Sequence, residues 1–428
     1  MSFNFLKLPL TPLYNPKPIT HNPIMTITEI RHELHNHPGV SGQEEFAHDL
    51  IVSELQALKP DELYDHVGGY GVIALWRASN KGAKTYAFRA DIDALPSGHR
   101  CGHDGHTAIL LRFAQLISQH KNSSHSNTQT FKHSNIHNIV LIFQPAEETG
   151  EGARRIMQSG ILQRIGVDAI FGLHNLPGYE KGTMVLSRGT FSMASCGVIY
   201  KFIGRQTHAS TPELGLNPGL AIAEMIQRFD ALNLRSADVS VGTQTLSAEP
   251  TAHHRQSTLI CCRIGEEAFG TSAGIGDVMF TLRAVTNDAM SDLLSEADDI
   301  ANDAACKYGL KLEKQLREPF RALENTPELV DQIITCLQPD TLKQSATGMP
   351  HLQTSQHHYT STPLHTYTML TEPFRWSEDF AEYLTEFKGV FFGLGSGISQ
   401  PELHHPDYDF PDDIIETGAE AFRLIIES

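Results

Sequence analysis

The stretch Arg100-Cys101-Gly102-His103-Asp104-Gly105-His106-Thr107 places a thiol, two imidazoles and a carboxylate between Cys101 and His106. These are donor types suited to zinc, and also to manganese, cobalt or nickel. Upstream, Thr85 to Ala90 reads as a buried strand running into Asp91-Ile92-Asp93-Ala94-Leu95-Pro96, where proline ends it. Downstream, Thr107 to Gln119 reads as an apolar helix, with the donor-rich stretch in the loop between.

Three further patches carry the same residue types. Glu147 and Glu148 follow a strand at Ile139 to Phe143, and His174 follows a strand at Ala169 to Gly172. Leu403-His404-His405-Pro406 comes after a strand at Val390 to Leu394. Strands alternating with helices predict a mostly parallel α/β sheet, whose ligand sites lie beyond the carboxyl ends of its strands. Cys101 and His103 can face one ion across Gly102; Glu148 and His174 come from neighbouring strand ends, and His404 from the far end of the chain. Five such ligands exceed one tetrahedral ion, which suggests two divalent ions bridged by Cys101, roughly 3.5–4 Å apart. Glu147 is then free to serve as a general base.

Each feature has a plainer reading alone. Cys101 could be a buried thiol, the glutamate pair a solvated helix start, His174 a core histidine and His106 a structural one. Spacing does not choose between His404 and His405. The coincidence of four patches favours a metal centre.

At 428 residues the chain exceeds what one core usually accommodates, so two domains are expected. Hydrophobic residues make up 40% and charged residues 19%, as in a globular protein, and the formal net charge of -17 argues against nucleic acid or an acidic membrane surface as partner. The six cysteines show no paired spacing, which points to a reduced, cytoplasmic protein. Residues 1–25 read as a proline-broken arm with no signal peptide, and no apolar run approaches the roughly 20 residues of a membrane span.

From Thr26 a helical pattern begins, and a second helix is expected over Gln43 to Leu58, with a strand at Tyr70 to Trp76. His120–His137 and Ser345–Tyr367 are polar and read as loops. After about Phe191 the order becomes βαββαβ, which suggests a small inserted domain. The expected division is 26–192 with 319–428 for the main domain and 193–318 for the insert. Gly393-Leu394-Gly395-Ser396-Gly397 reads as a tight turn. No H-E-x-x-H helix, phosphate-binding loop or serine elbow is present.

Arg89-Ala90-Asp91-Ile92-Asp93-Ala94-Leu95-Pro96, Cys101-Gly102-His103-Asp104-Gly105-His106-Thr107-Ala108, Gln144-Pro145-Ala146-Glu147-Glu148, Gly172-Leu173-His174-Asn175 and Ser377-Glu378-Asp379-Phe380 stand in an order that resembles the amidohydrolase branch of the aminoacylase and carboxypeptidase clan. Its members include hippurate hydrolase, N-acyl-amino-acid amidohydrolase and auxin-conjugate hydrolase. The resemblance runs from about Thr26 to the C-terminus. It implies a zinc-peptidase-like catalytic domain with an inserted lid domain, often used for dimerisation, so that a homodimer or homotetramer through the lid is expected. It also implies Cys101, His103, Glu148, His174 and His404 as metal ligands and Glu147 as catalytic base. His404 is preferred to His405 because the family ligand directly follows the residue matching Leu403. His208, in Gly204-Arg205-Gln206-Thr207-His208-Ala209-Ser210, matches a lid histidine that helps stabilise the oxyanion; its plainer reading is a surface histidine.

Two departures stand out. Only Ser97-Gly98-His99-Arg100 separates Pro96 from Cys101, where relatives carry a longer loop, and Phe269-Gly270-Thr271-Ser272 stands where a lid asparagine motif is usual. The expected activity is metal-dependent cleavage of the amide of an N-acyl amino acid, hippurate-like. A metal-activated water would attack, with Glu147 as general base. The alternatives are a dipeptide hydrolase, or a non-catalytic metal-binding module on the same scaffold.

Overall fold

The structure, a computed structural model, describes residues 25–122, 137–235, 255–337 and 366–427. The expected N-terminal arm and most of the two polar loops fall outside these ranges.

Helix α1 (Ile27–Asn36) starts at a capping box in which Thr26 and Glu29 satisfy each other's backbone N–H groups. Helix α2 (Glu45–Leu58) follows. Next come strands β1 (Glu62–Val67), β2 (Gly71–Trp76) and β3 (Thr85–Asp91), helix α3 (His103–Asn122) and strand β4 (Asn138–Gln144). Helices α4 (Gly152–Gln158) and α5 (Ile161–Ile165) lead to β5 (Ala169–Pro177), β6 (Met184–Leu186) and β7 (Thr190–Ser192).

Strands β2 to β4 are buried on both faces, and their side chains divide by parity. Val72, Ala74 and Trp76 join a core with Leu50, Ile51, Phe113 and Phe422. Ile73 and Leu75 join a second core with Ile156, Leu162 and Phe391 on the opposite face. Each buried valine, leucine, isoleucine or phenylalanine among them contributes roughly 1.5–3 kcal/mol.

The chain then leaves this sheet through β8 (Ala194–Ile203), α6 (Gly219–Arg235), β9 (Arg255–Ile264), β10 (Ile275–Ala284), α7 (Asn287–Tyr308) and β11 (Lys311–Phe320). This is the expected βαββαβ unit. Its four strands are antiparallel in the order β11-β8-β10-β9. Val278, Phe280, Leu282 and Ala284 of β10 alternate inward and pack with Ile222, Phe229 and Leu293 of the two helices. Strand β9 is an edge, with Leu259, Ile260 and Ile264 exposed.

The chain returns through β12 (Leu323–Glu324), α8 (Pro327–Leu337), β13 (Tyr367–Met369), β14 (Lys388–Gly397) and α9 (Ile415–Ile426). The large sheet runs β1-β2-β4-β3-β5-β14-β6-β13, with β4, β3, β5 and β14 mutually parallel. No described helix is long and apolar enough to cross a membrane.

Three details differ from the sequence reading. Helix α3 begins at His103, inside the donor-rich stretch, because Gly102 at φ 93° turns the chain directly into it. Strand β5 extends to Pro177, so His174 lies within the strand rather than after it. Gly393 to Gly397 continue β14 instead of forming a turn. A Cβ on Gly395 would stand 2.0 Å from the Glu180 carbonyl, so glycine here admits a neighbouring backbone.

Candidate metal centre

The parallel registers bring the patches together. Arg89 of β3 lies beside Ile142 of β4 and Gly172 of β5, and Gly393 of β14 beside His174. Beyond these strands, Cys101, His103 and Glu148 each offer a donor atom within 4.8 Å of one another. The Cys101 thiol lies 2.6 Å from Glu148 Oε1 and 3.0 Å from His404 Nε2. His103 Nε2 is 3.9 Å from Glu148 Oε1. His174 packs edge-on against His103, their ring centroids 5.8 Å apart, and shares a second cluster with His103 and His106.

His404 is carried in by the backbone. Its N–H donates to the Arg100 carbonyl at 2.9 Å, and the Arg100 guanidinium donates to the Tyr408 carbonyl at 2.6 Å. His404 itself holds φ 68°, a left-handed conformation. His405 turns outward, its Nδ1 accepting from the Asp407 N–H. His208 is exposed on its lid loop with Nδ1 2.7 Å from Ser210 Oγ, and among the described residues no hydrogen bond or ring contact joins it to the cluster.

Electrostatics suit this donor set to a cation. Burial pushes the Cys101 thiol well up, and the Glu148 carboxylate adds to that, so a thiolate here needs a positive charge close by. Burial, with His106 nearby, keeps the His174 imidazole neutral, the form that coordinates metals. A buried sulfur 2.6 Å from a carboxylate oxygen is an arrangement that a metal ion or a proton must mediate. The residues therefore fit a metal centre.

Glu147 is buried, and its carboxylate takes no hydrogen bond from the described residues. Its neighbours are Glu378 and Asp379, all three within 4.8 Å. Burial and these two carboxyls push Glu147 upward; a cation held by Glu148 would pull it back down.

Sequence reasoning assigned no role to the charged layer beneath. Arg89 is fully buried and donates to Gln144 Oε1, Asp91 Oδ2, Glu378 Oε1 and Asp379 Oδ1, at 2.8–2.9 Å. One guanidinium does not neutralise three carboxyls. Burial pushes Glu378 up to about 8 and Asp379 to about 6, although Arg89 opposes both. Asp91 in turn accepts from His106 Nδ1 at 2.6 Å.

Asp104 turns away from the cluster. It pairs with Arg31 at 3.2 Å and His35 at 2.8 Å, tying α3 to α1. Burial opposes its charge, but the His35 bond and the cationic neighbours hold it down to about 2. The signal for this layer was present as charged residues in and just after an apolar strand, at Arg89, Asp91 and Asp93.

Residues 87–428 match the model of Peptidase family M20/M25/M40. The chain belongs to this family. An N-acetyldiaminopimelate deacetylase of Lactobacillus acidophilus is 24% identical over 93% of this chain and 96% of its own. An uncharacterized hydrolase of Staphylococcus aureus is 27% identical over 73% of this chain and 79% of its own. A Bacillus subtilis structure described as a dinuclear metal-binding peptidase of the M20 family shares the fold, with a TM-score of 0.70 at 21% identity over 94% of this chain and 96% of that one. The M20 membership agrees with the amidohydrolase branch indicated by the motifs, and the protein is a metal-dependent amidohydrolase.

Proposed function

We propose that this M20 enzyme cleaves the amide bond of an N-acylated amino acid or a related conjugate, with Glu147 as general base. The observation that carries the reading is a buried Glu147 carboxylate, without a hydrogen bond among the described residues, beside the cluster of Cys101, His103, Glu148 and His404. Cys101, His103, Glu148, His174 and His404 would hold two divalent ions, zinc, manganese, cobalt or nickel. Such ions supply Lewis acidity and lower the pKa of a coordinated water from 15.7 to ~7. Glu147 would take a proton from the attacking water at its carboxylate and pass it to the leaving nitrogen. His208 would assist at the developing oxyanion from the lid.

The substrate class rests on two supports. The Lactobacillus relative is named for removing an acetyl group from an amino acid. The half-buried Arg283 guanidinium, on β10, donates to the Arg375 carbonyl at 2.5 Å and has no carboxylate partner among the described residues. It bonds to Arg375 and Ser377, on either side of Trp376, whose ring packs on His174; this placement supports Arg283 as the receiver of a substrate carboxylate. The exposed apolar edge of β9 supports pairing of the lid with a second copy, and six free cysteines support a reducing, cytoplasmic setting.

The test uses metal-stripped protein reloaded with each ion and a panel of N-benzoylglycine, N-acetyl amino acids including N-acetyldiaminopimelate, and dipeptides. Turnover of an acyl amino acid should depend on metal. Glu147→Gln should lower kcat roughly 10²–10⁴-fold with metal content unchanged. Full activity in that variant, or hydrolysis confined to dipeptides, would overturn the reading.

A further inference from the structure

The turn that carries Glu147 and Glu148 is held by a loop far upstream, before the region matched by the family model. Glu44 is fully buried at the N-cap position of α2, yet its carboxylate caps none of that helix's own N–H groups. Instead one oxygen, Oε1, accepts from the Gly42 N–H at 2.8 Å and from the Ala146 N–H at 3.0 Å. The other oxygen, Oε2, has no hydrogen-bond partner among the described residues. An acidic residue that gives up an ordinary cap and leaves a buried oxygen unpaired is costly unless the contact it makes instead matters.

That contact falls at a strained point. Ala146 holds φ 53°, which residues with a Cβ rarely adopt. Its carbonyl accepts from the Gly152 N–H at 3.1 Å, so the peptide on each side of Ala146 is pinned. The same upstream loop acts a second time. Ser41 Oγ donates to Asp93 Oδ2 at 2.7 Å, and that oxygen accepts the Glu148 N–H at 3.1 Å. Two backbone N–H groups flanking Glu147 therefore answer to Ser41 and Glu44.

We propose that Glu44 is a positioning residue: by fixing the left-handed Ala146 peptide it sets the direction of the Glu147 carboxylate. The inference rests on the reading of Glu147 as general base. A misplacement of about 1 Å at such a group can lower turnover about 10²-fold, and it should do so without weakening substrate binding. The amide oxygen of glutamine can replace Oε1, whereas aspartate is one methylene short and alanine has no acceptor.

The experiment compares Glu44→Gln, Glu44→Asp, Glu44→Ala and Glu147→Gln in the metal-loaded enzyme, on the acyl amino acid turned over best in the panel. It measures kcat, KM, metal per chain and thermal midpoint. Glu44→Asp and Glu44→Ala should lose about 10²-fold in kcat with KM and metal content near wild type, while Glu44→Gln stays close to wild type. The aspartate variant keeps the test alive if alanine does not fold. Wild-type kcat in the aspartate variant overturns the inference. So do equal losses in Gln and Asp, or a loss that tracks metal content or unfolding. If Glu147→Gln itself turns over normally, the failure lies in the base assignment instead.

Discussion

The large sheet and the lid sheet are built on different interiors. At the centre of the first, Arg89 is enclosed by Asp91, Glu378, Asp379 and Gln144, and Asp91 passes the chain of bonds on to His106. The lid interior, from Val198, Tyr200 and Phe202 across to Phe229, Phe280 and Leu293, is almost wholly apolar. Its main polar tie is Tyr200 to Asp298 at 2.7 Å. Apolar packing is non-directional and tolerates exchange at constant volume. A buried ionic layer does not, because removing one member strands the others. The first sheet therefore carries its polar groups in its interior, while the interior of the lid has only to keep that domain's shape.

The sharpest way to break this contrast is Arg89→Met. It leaves three buried carboxyls without their cation and should destabilise the protein by about 3–5 kcal/mol in urea unfolding. In the lid, Met225→Leu should cost less than about 1.5 kcal/mol. Equal costs would remove the distinction.

Next in size is the pH response of the large-sheet side. His99 is buried, and burial lowers its imidazole to about 4. Between that value and the usual ~6.5 the unfolded chain binds a proton that the folded chain refuses. Stability from this group is complete above pH ~6.5 and falls as pH drops toward 4, by up to about 3 kcal/mol. His99→Asn should flatten that part of the stability profile; an unchanged slope would count against it.

A smaller effect is expected at the lid's polar tie, where Tyr200→Phe should cost about 1 kcal/mol. Smallest of all, Ile260→Lys on the β9 edge should change monomer stability by under ~0.5 kcal/mol. The same change should shift self-association measured by light scattering, and an unaltered oligomer would argue against pairing through that edge.

Much of the architecture could be read in advance because it follows from local pattern. Apolar runs mark β2 to β4, and the βαββαβ order marks the lid. Strand β1 escaped notice because Glu62-Leu63-Tyr64-Asp65-His66-Val67 is an edge strand with mostly partly exposed residues. His174 and Asn175 looked like the start of a loop because they are polar: His174 Nδ1 meets the neighbouring Asn175 carbonyl at 2.9 Å, while the Asn175 side chain is met from afar by His106 and Tyr408. The donor residues stood out by type. What holds them did not, because Glu44 reaches Ala146 across 102 positions and Arg89 reaches Glu378 across 289. Contacts of that span leave no periodicity to read.

The Cys101–His404 contact joins positions 303 apart. At typical translation speeds of ~5–20 residues per second, the sulfur leaves the ribosome on the order of tens of seconds before its imidazole neighbour exists. An ion held by both residues would be loaded only once the polypeptide is nearly finished.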